Sequence, residues 1–82
     1  MWRITYNIIM DKVLKEVVGK RLKESRKAAG LTQKAVASIL NMTQQQYSRF
    51  ENGIFELNYE QLKLICELYD ISCDYLLGIK PY

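Results

Sequence analysis

LTQKAVASILNMTQQQYSRFENG, Leu31 to Gly53, decides how this chain is read. Two short runs with a helical apolar period lie within it, divided by Asn41, Met42 and Thr43. Each run opens on a threonine, Thr32 or Thr43, whose oxygen can accept an orphan N–H of a first helical turn. Each threonine has an apolar residue just before it and another four places on, Leu31 with Val36 and Met42 with Tyr47, the spacing of a hydrophobic staple. Gln46, three residues after Thr43, can complete a capping box by reaching back to the Thr43 N–H. Ala37 is small enough to let two helices cross closely, and Asn41 tolerates a left-handed turn better than most residues. Val36, Leu40, Met42, Tyr47 and Phe50 are spaced to fill the angle between the two helices.

Two helices joined by so short a turn have the pattern of a helix-turn-helix. The same start signature occurs twice more, at Asn58 (Leu57, Leu62, with Gln61 as box partner) and at Ser72 (Ile71, Leu76). An earlier helix begins near Asp11 and runs to Ala29, with Leu14, Val17, Val18, Leu22 and Ser25 on one stripe. Gly30 stops it. Gly19, inside it, costs about 1 kcal/mol relative to alanine, which marks the first half as a candidate for a separate turn. The expectation is all-α: a compact five-helix bundle with helices near 13–29, 33–40, 44–52, 59–69 and 73–77, forming one domain over 12–82. Residues 1–11 stand apart as an N-terminal extension. Trp2, Ile4, Tyr6 and Ile8 alternate with polar residues, which is a strand period. The alternatives are a short strand pairing with its copy in a second chain, since an exposed edge invites pairing, a disordered tail or arm, or packing on its own domain.

The totals narrow the function. The chain has 82 residues, enough for one small domain. Its two cysteines, Cys66 and Cys73, are too few for a disulfide framework and read as small core or near-surface thiols. There is no histidine, so the commonest general base and metal ligand is missing. No metal, no cofactor and no enzymatic activity are expected. No apolar run approaches the roughly 20 residues of a membrane helix, and the start lacks the marks of a signal peptide, so the cytoplasm is the expected location. The net charge of +3 is unevenly spread. From Lys12 to Arg49 there are nine basic residues against two acids, and from Glu51 onward six acids against two lysines. A polyanionic partner for the middle of the chain follows, although Lys20, Lys23 and Lys27 read as a solvated face.

On a helical wheel Tyr47 and Phe50 fix the core side of the 44–52 helix. Opposite them fall Gln45, Ser48, Arg49 and Asn52, with Gln44 at the leading edge and Gln46 towards the core side. A glutamine amide matches the N6 and N7 edge of adenine, and an arginine matches O6 and N7 of guanine. In helix-turn-helix docking the N-terminal residues of the second helix enter the major groove. Gln44, Gln45, Ser48 and Arg49 are therefore the candidate base-reading set.

Residues Val18 to Gly78 resemble the phage repressor and Cro-type (XRE) helix-turn-helix domain, through GKRLKESRKAAGLTQ at 19–33, TQQQYSRFENG at 43–53 and DISCDYLLG at 70–78. The resemblance implies a five-helix bundle that binds operator DNA as a dimer. It implies that Gln33 touches a phosphate and buttresses Gln44, that Gln44, Gln45 and Arg49 read bases, and that Thr43 and Asn52 contact phosphates or methyl groups. Thr32 and Lys34 join the expected phosphate contacts. Arg26 and Glu51 match a partly buried salt bridge between the first and third helices. Asn41 replaces the usual turn glycine, and the loop Gly53–Leu57 carries Ile54 and Phe55 where many relatives carry basic residues. These two are expected in the core or in a dimer contact. Tyr59, Tyr69 and Tyr75 are expected at the core edge. The reading is a transcriptional regulator of repressor type, a homodimer on double-stranded DNA. The alternative is a protein-interaction or antitoxin-type module. With no sensor domain in view, regulation is expected through dimerisation, a partner or abundance.

Overall fold

The first turn of a helix leaves N–H groups without intrahelical partners, and here polar side chains supply them at four helix starts. In a computed structural model the backbone is described from Trp2 to Tyr82 and the side chains from Met10 onward. The described residues form five helices and no strand: α1 (Trp2–Ala28), α2 (Gln33–Ile39), α3 (Gln44–Glu51), α4 (Tyr59–Tyr69) and α5 (Cys73–Leu76). Thr32 accepts from Ala35 N at 3.0 Å and Ser72 from Tyr75 N at 3.0 Å. Thr43 with Gln46, and Asn58 with Gln61, make full capping boxes. Asn41 takes the left-handed conformation at φ 56° that the α2–α3 turn requires.

The core draws one fully buried side chain from each helix: Leu22, Val36, Tyr47, Ile65 and Leu76. Burying an aliphatic side chain of this size stabilises by roughly 1.5–3 kcal/mol, so every helix has a stake in the same cluster. Ala37, 2% exposed, permits the close crossing of α2 and α3. Tyr69 is buried, and its hydroxyl lies 2.7 Å from that of Tyr47. Tyr75 is half-buried, but Tyr59 is 91% exposed and is no part of the core edge.

Two expectations for the N-terminal half are corrected. The backbone from Trp2 is helical and continuous with α1, where a strand was expected. An extended segment needs a neighbouring strand for its N–H and C=O groups, whereas a helix satisfies them within the segment. Nor is the helix broken at Gly19. That glycine is buried against the end of α3, where an added Cβ would lie 2.5 Å from Glu51 O and 2.8 Å from Phe50 O. Its missing side chain is what lets α1 dock. The stripe enters the bundle gradually: Leu14 is exposed, Val17 and Val18 are half-buried, and Leu22 and Ser25 are buried.

Gly19→Ala gains about 1 kcal/mol of helix propensity but meets backbone, which cannot rotate aside. Overpacking of this kind costs typically 1–3 kcal/mol. The variant should melt below the wild type, and an equal or higher melting temperature would remove the close-approach role.

Candidate nucleic-acid interface

A helix can present a defined outer face only if its inner face is held. Tyr47, Phe50 and Glu51 hold α3, at 0%, 7% and 7% exposure. The other side of the helix offers Gln44, Gln45, Arg49 and Asn52, all exposed, with Ser48 half-exposed. Asn52 Nδ2 donates to Ser48 Oγ at 3.3 Å. The four sequence-predicted base readers thus share one helix and one solvent-facing side.

Gln46 behaves differently from its two neighbours. Its Oε1 accepts from Thr43 N at 2.9 Å, while its own N–H donates to Thr43 Oγ1 at 3.1 Å. The capping role stands, but the side chain is exposed, not turned towards the core. It lies along the rim of a shallow depression that Lys34, Ser38, Asn41, Met42 and Thr43 also line. That depression brings the start of α2 and the start of α3 onto one surface. Lys34 and Thr43 are exposed there, and Thr32 is exposed at the cap of α2. Each threonine hydroxyl accepts a cap bond and keeps its O–H to donate.

The inner end of α3 carries a buried charge network. Arg26 donates from Nε to Glu51 Oε2 at 2.7 Å and from Nη2 to Oε1 at 3.2 Å. A third bond runs from Arg26 Nη1 to the Leu31 carbonyl at 2.9 Å. Gln33 Nε2 donates to Glu51 Oε1 at 3.1 Å. The Gln33 amide serves the carboxylate, because a side chain only 1% exposed needs every donor within reach. Burial raises the Glu51 pKa, but hydrogen bonds from Arg26, Gln33 and Tyr47 and the arginine charge outweigh it, holding the carboxyl below its ordinary value. The same hydrogen bond to Glu51 raises Arg26. Burial, helped by bonds to Tyr69 and Glu51, pushes the Tyr47 phenol far above its usual range. All three groups therefore keep one protonation state at neutral pH.

Sequence reasoning placed Phe55 in the core or in a dimer contact and missed its contact with Arg49. The N–H groups of Ile54 and Phe55 both return to Arg49 O, at 2.9 and 3.3 Å, so the loop folds back on the end of α3. The Arg49 guanidinium then lies 5.5 Å from the Phe55 ring centroid, a cation–π contact. Ile54 and Phe55 are 55% and 48% exposed, so neither belongs to the core. The available signal for the pair was an aromatic residue soon after a surface arginine, too common to mark a contact.

The Helix-turn-helix family matches residues 22–76, and the chain belongs to that family. It is 43% identical over 61 residues to the HTH-type transcriptional regulator ImmR of Bacillus subtilis, covering 74% of this chain and 48% of the relative. It is 32% identical over 62 residues to the antitoxin PezA of Streptococcus pneumoniae, covering 76% and 39%. It is 40% identical over 58 residues to the uncharacterized HTH-type transcriptional regulator YqaE of Bacillus subtilis, covering 71% and 50%. The chain spans about half or less of the length of these relatives. No helix among the described residues is long and apolar enough to cross a membrane.

Removing one partner of the buried pair leaves an unmatched charge. Arg26→Ala or Glu51→Ala should cost roughly 3 kcal/mol, read as a lowered melting temperature. The pH dependence has a definite sign. Glu51 is depressed in the folded state, so its contribution is complete above the ordinary carboxylate value of about 4.5 and is lost as pH falls through the folded value. Acid melts should therefore show a loss in the wild type that is shallower in Glu51→Gln. Identical acid profiles would show that Glu51 is not the titrating group.

Proposed function

We propose that the chain is a sequence-specific transcriptional regulator that binds double-stranded DNA with α3 in the major groove. The observation that carries this reading is α3 itself, anchored through Tyr47, Phe50 and Glu51 while Gln44, Gln45 and Arg49 face outward. A bidentate amide or guanidinium suits a base edge. The starts of α2 and α3, with Thr32, Lys34 and Thr43, suit the flanking phosphates, because helix N-termini favour anions. Membership of the family and the regulator relatives support the same reading, as does the basic middle of the chain.

On this reading the protein acts in the cytoplasm as a homodimer on a two-fold-symmetric operator, as a repressor. Support for a dimer comes from uncovered apolar surface. Met10, Val13 and Leu14 on α1 are 42–44% exposed. Leu14 and Phe55 line one groove with Val18, Leu57, Leu62 and Leu77. A patch of this kind marks an interaction site. A second reading, a module that binds a protein partner, draws on the same patch and on the likeness to an antitoxin.

Selection of bound duplexes from a random pool separates the two. A regulator should enrich a symmetric sequence with half-sites about one helical turn apart. An interaction module should enrich none.

The three consecutive glutamines give a sharper test. Gln44→Ala and Gln45→Ala should melt like the wild type and lose about 1–3 kcal/mol of operator affinity each. Each should also relax preference at one base pair per half-site. Gln46→Ala should instead lose up to about 1 kcal/mol of stability, as capping losses do, and keep its sequence preference. Equal loss of preference in all three would place the reading face elsewhere on the helix.

A further inference from the structure

Cys66 and Cys73 are the chain's two cysteines, and the fold brings their sulfurs to 3.1 Å. They come from different elements, Cys66 from the second half of α4 and Cys73 from the first residue of α5. The connection between them is tightly specified. Asp70 ends α4 in the left-handed conformation at φ 53°, the Ile71 N–H returns to Cys66 O at 3.0 Å, and Ser72 caps α5. The contact is therefore set by backbone geometry, not by two long side chains meeting on a surface. A covalent S–S bond is about 2.05 Å, so closure needs a movement of only about 1 Å at sulfur.

The two thiols differ in a useful way. Cys73 is exposed and Cys66 is buried. We propose that Cys66 and Cys73 form a thiol-oxidation site that a hydroperoxide closes to an intramolecular disulfide linking α4 to α5.

The chemistry has two steps. The Cys73 thiolate attacks one peroxide oxygen, the O–O bond breaks, and the departing oxygen takes a proton. Cys73 is left as a sulfenic acid. The Cys66 sulfur then attacks the Cys73 sulfur. The S–S bond forms, the S–O bond breaks, and the Cys66 proton leaves with the hydroxide as water. Two thiols lose two electrons in total, and one peroxide is reduced. Burial, with the hydrogen bond and charge of Cys73, pushes the Cys66 thiol up to about 12. Cys66 therefore waits as the resolving sulfur while the exposed Cys73 meets the oxidant. The bond would reinforce the helix that Arg21 already holds, through the Tyr75 and Lys80 carbonyls and over the Tyr75 ring at 4.5 Å.

The test treats the reduced full chain with stoichiometric hydrogen peroxide, alkylates it in denaturant and weighs it intact. The expected product has lost the mass of two hydrogen atoms, takes up no alkylating reagent, stays monomeric on a non-reducing denaturing gel and recovers both thiols with dithiothreitol. Its melting temperature should rise. Cys66→Ser should leave Cys73 heavier by one or more oxygen atoms, and Cys73→Ser should leave Cys66 unreacted. A wild-type chain that gains oxygen at Cys73 while Cys66 remains free to alkylate would overturn the proposal. So would a disulfide formed only between chains.

Discussion

The carboxylate of Glu51 is charged, almost sealed from water, and placed at the C-terminal end of α3, where the helix dipole is already negative. Each of these conditions is unfavourable alone. Together they require a cation with fixed geometry and further donors, because a buried charge without partners is far more costly than a paired one. Arg26 provides the cation from α1 and Gln33 an amide from α2. Arg26 also binds the Leu31 carbonyl in the segment leading to α2. One carboxylate thus constrains three helices and a linker. Arginine suits the place better than lysine would, since its planar fork makes two bonds to the carboxylate and keeps a donor for the carbonyl.

Gly19 makes this arrangement reachable. The carbonyls of Phe50 and Glu51 lie where any larger residue on α1 would put its Cβ. Close backbone approach and the ion pair therefore act at the same end of α3 and from the same helix. The consequence for α3 is rotational: with its inner residues fixed, the outer ones have no freedom to turn inward. Three chemically identical glutamines are then separated by the helix period alone. Gln46 falls where it can close the capping box, and Gln44 and Gln45 remain free.

What could be read from the residues was mostly local. All four caps were legible because a cap, its box partner and its staple lie within about six residues of one another. The left-handed turn at Asn41 and the buried Val36, Tyr47 and Phe50 follow from the same short-range logic. The Arg26–Glu51 pair spans 25 residues and was legible only through the likeness to a family. Contacts with neither a local signature nor a family pattern stayed hidden: Gln33 with Glu51, Tyr47 with Tyr69, Arg49 with Phe55. Gly19 was misread because propensity sees only the loss of a side chain and not the neighbour that needs the space. The alternation at Trp2 to Ile8 was misread because so short an apolar pattern does not separate helix from strand. Here the helix that follows it extends back through the segment.

The loop after α3 makes its contacts with the chain's own helices. It carries Ile54 and Phe55, and the following Glu56 lies 3.8 Å from Lys15 of α1. The loop's polar interaction is thus directed towards its own helix, and its aromatic ring is spent on the guanidinium of Arg49. On the proposed DNA-binding reading, that contact would orient a base-reading side chain. Each phosphate neutralised contributes about 0.9 to the salt dependence of binding to duplex DNA. On that reading Ile54 and Phe55 add nothing to this unspecific term, and discrimination would rest on how well Gln44, Gln45 and Arg49 fit their bases. On the same reading, the stacking limits the conformations open to an exposed arginine, and so would lower the entropy lost on engaging a base edge.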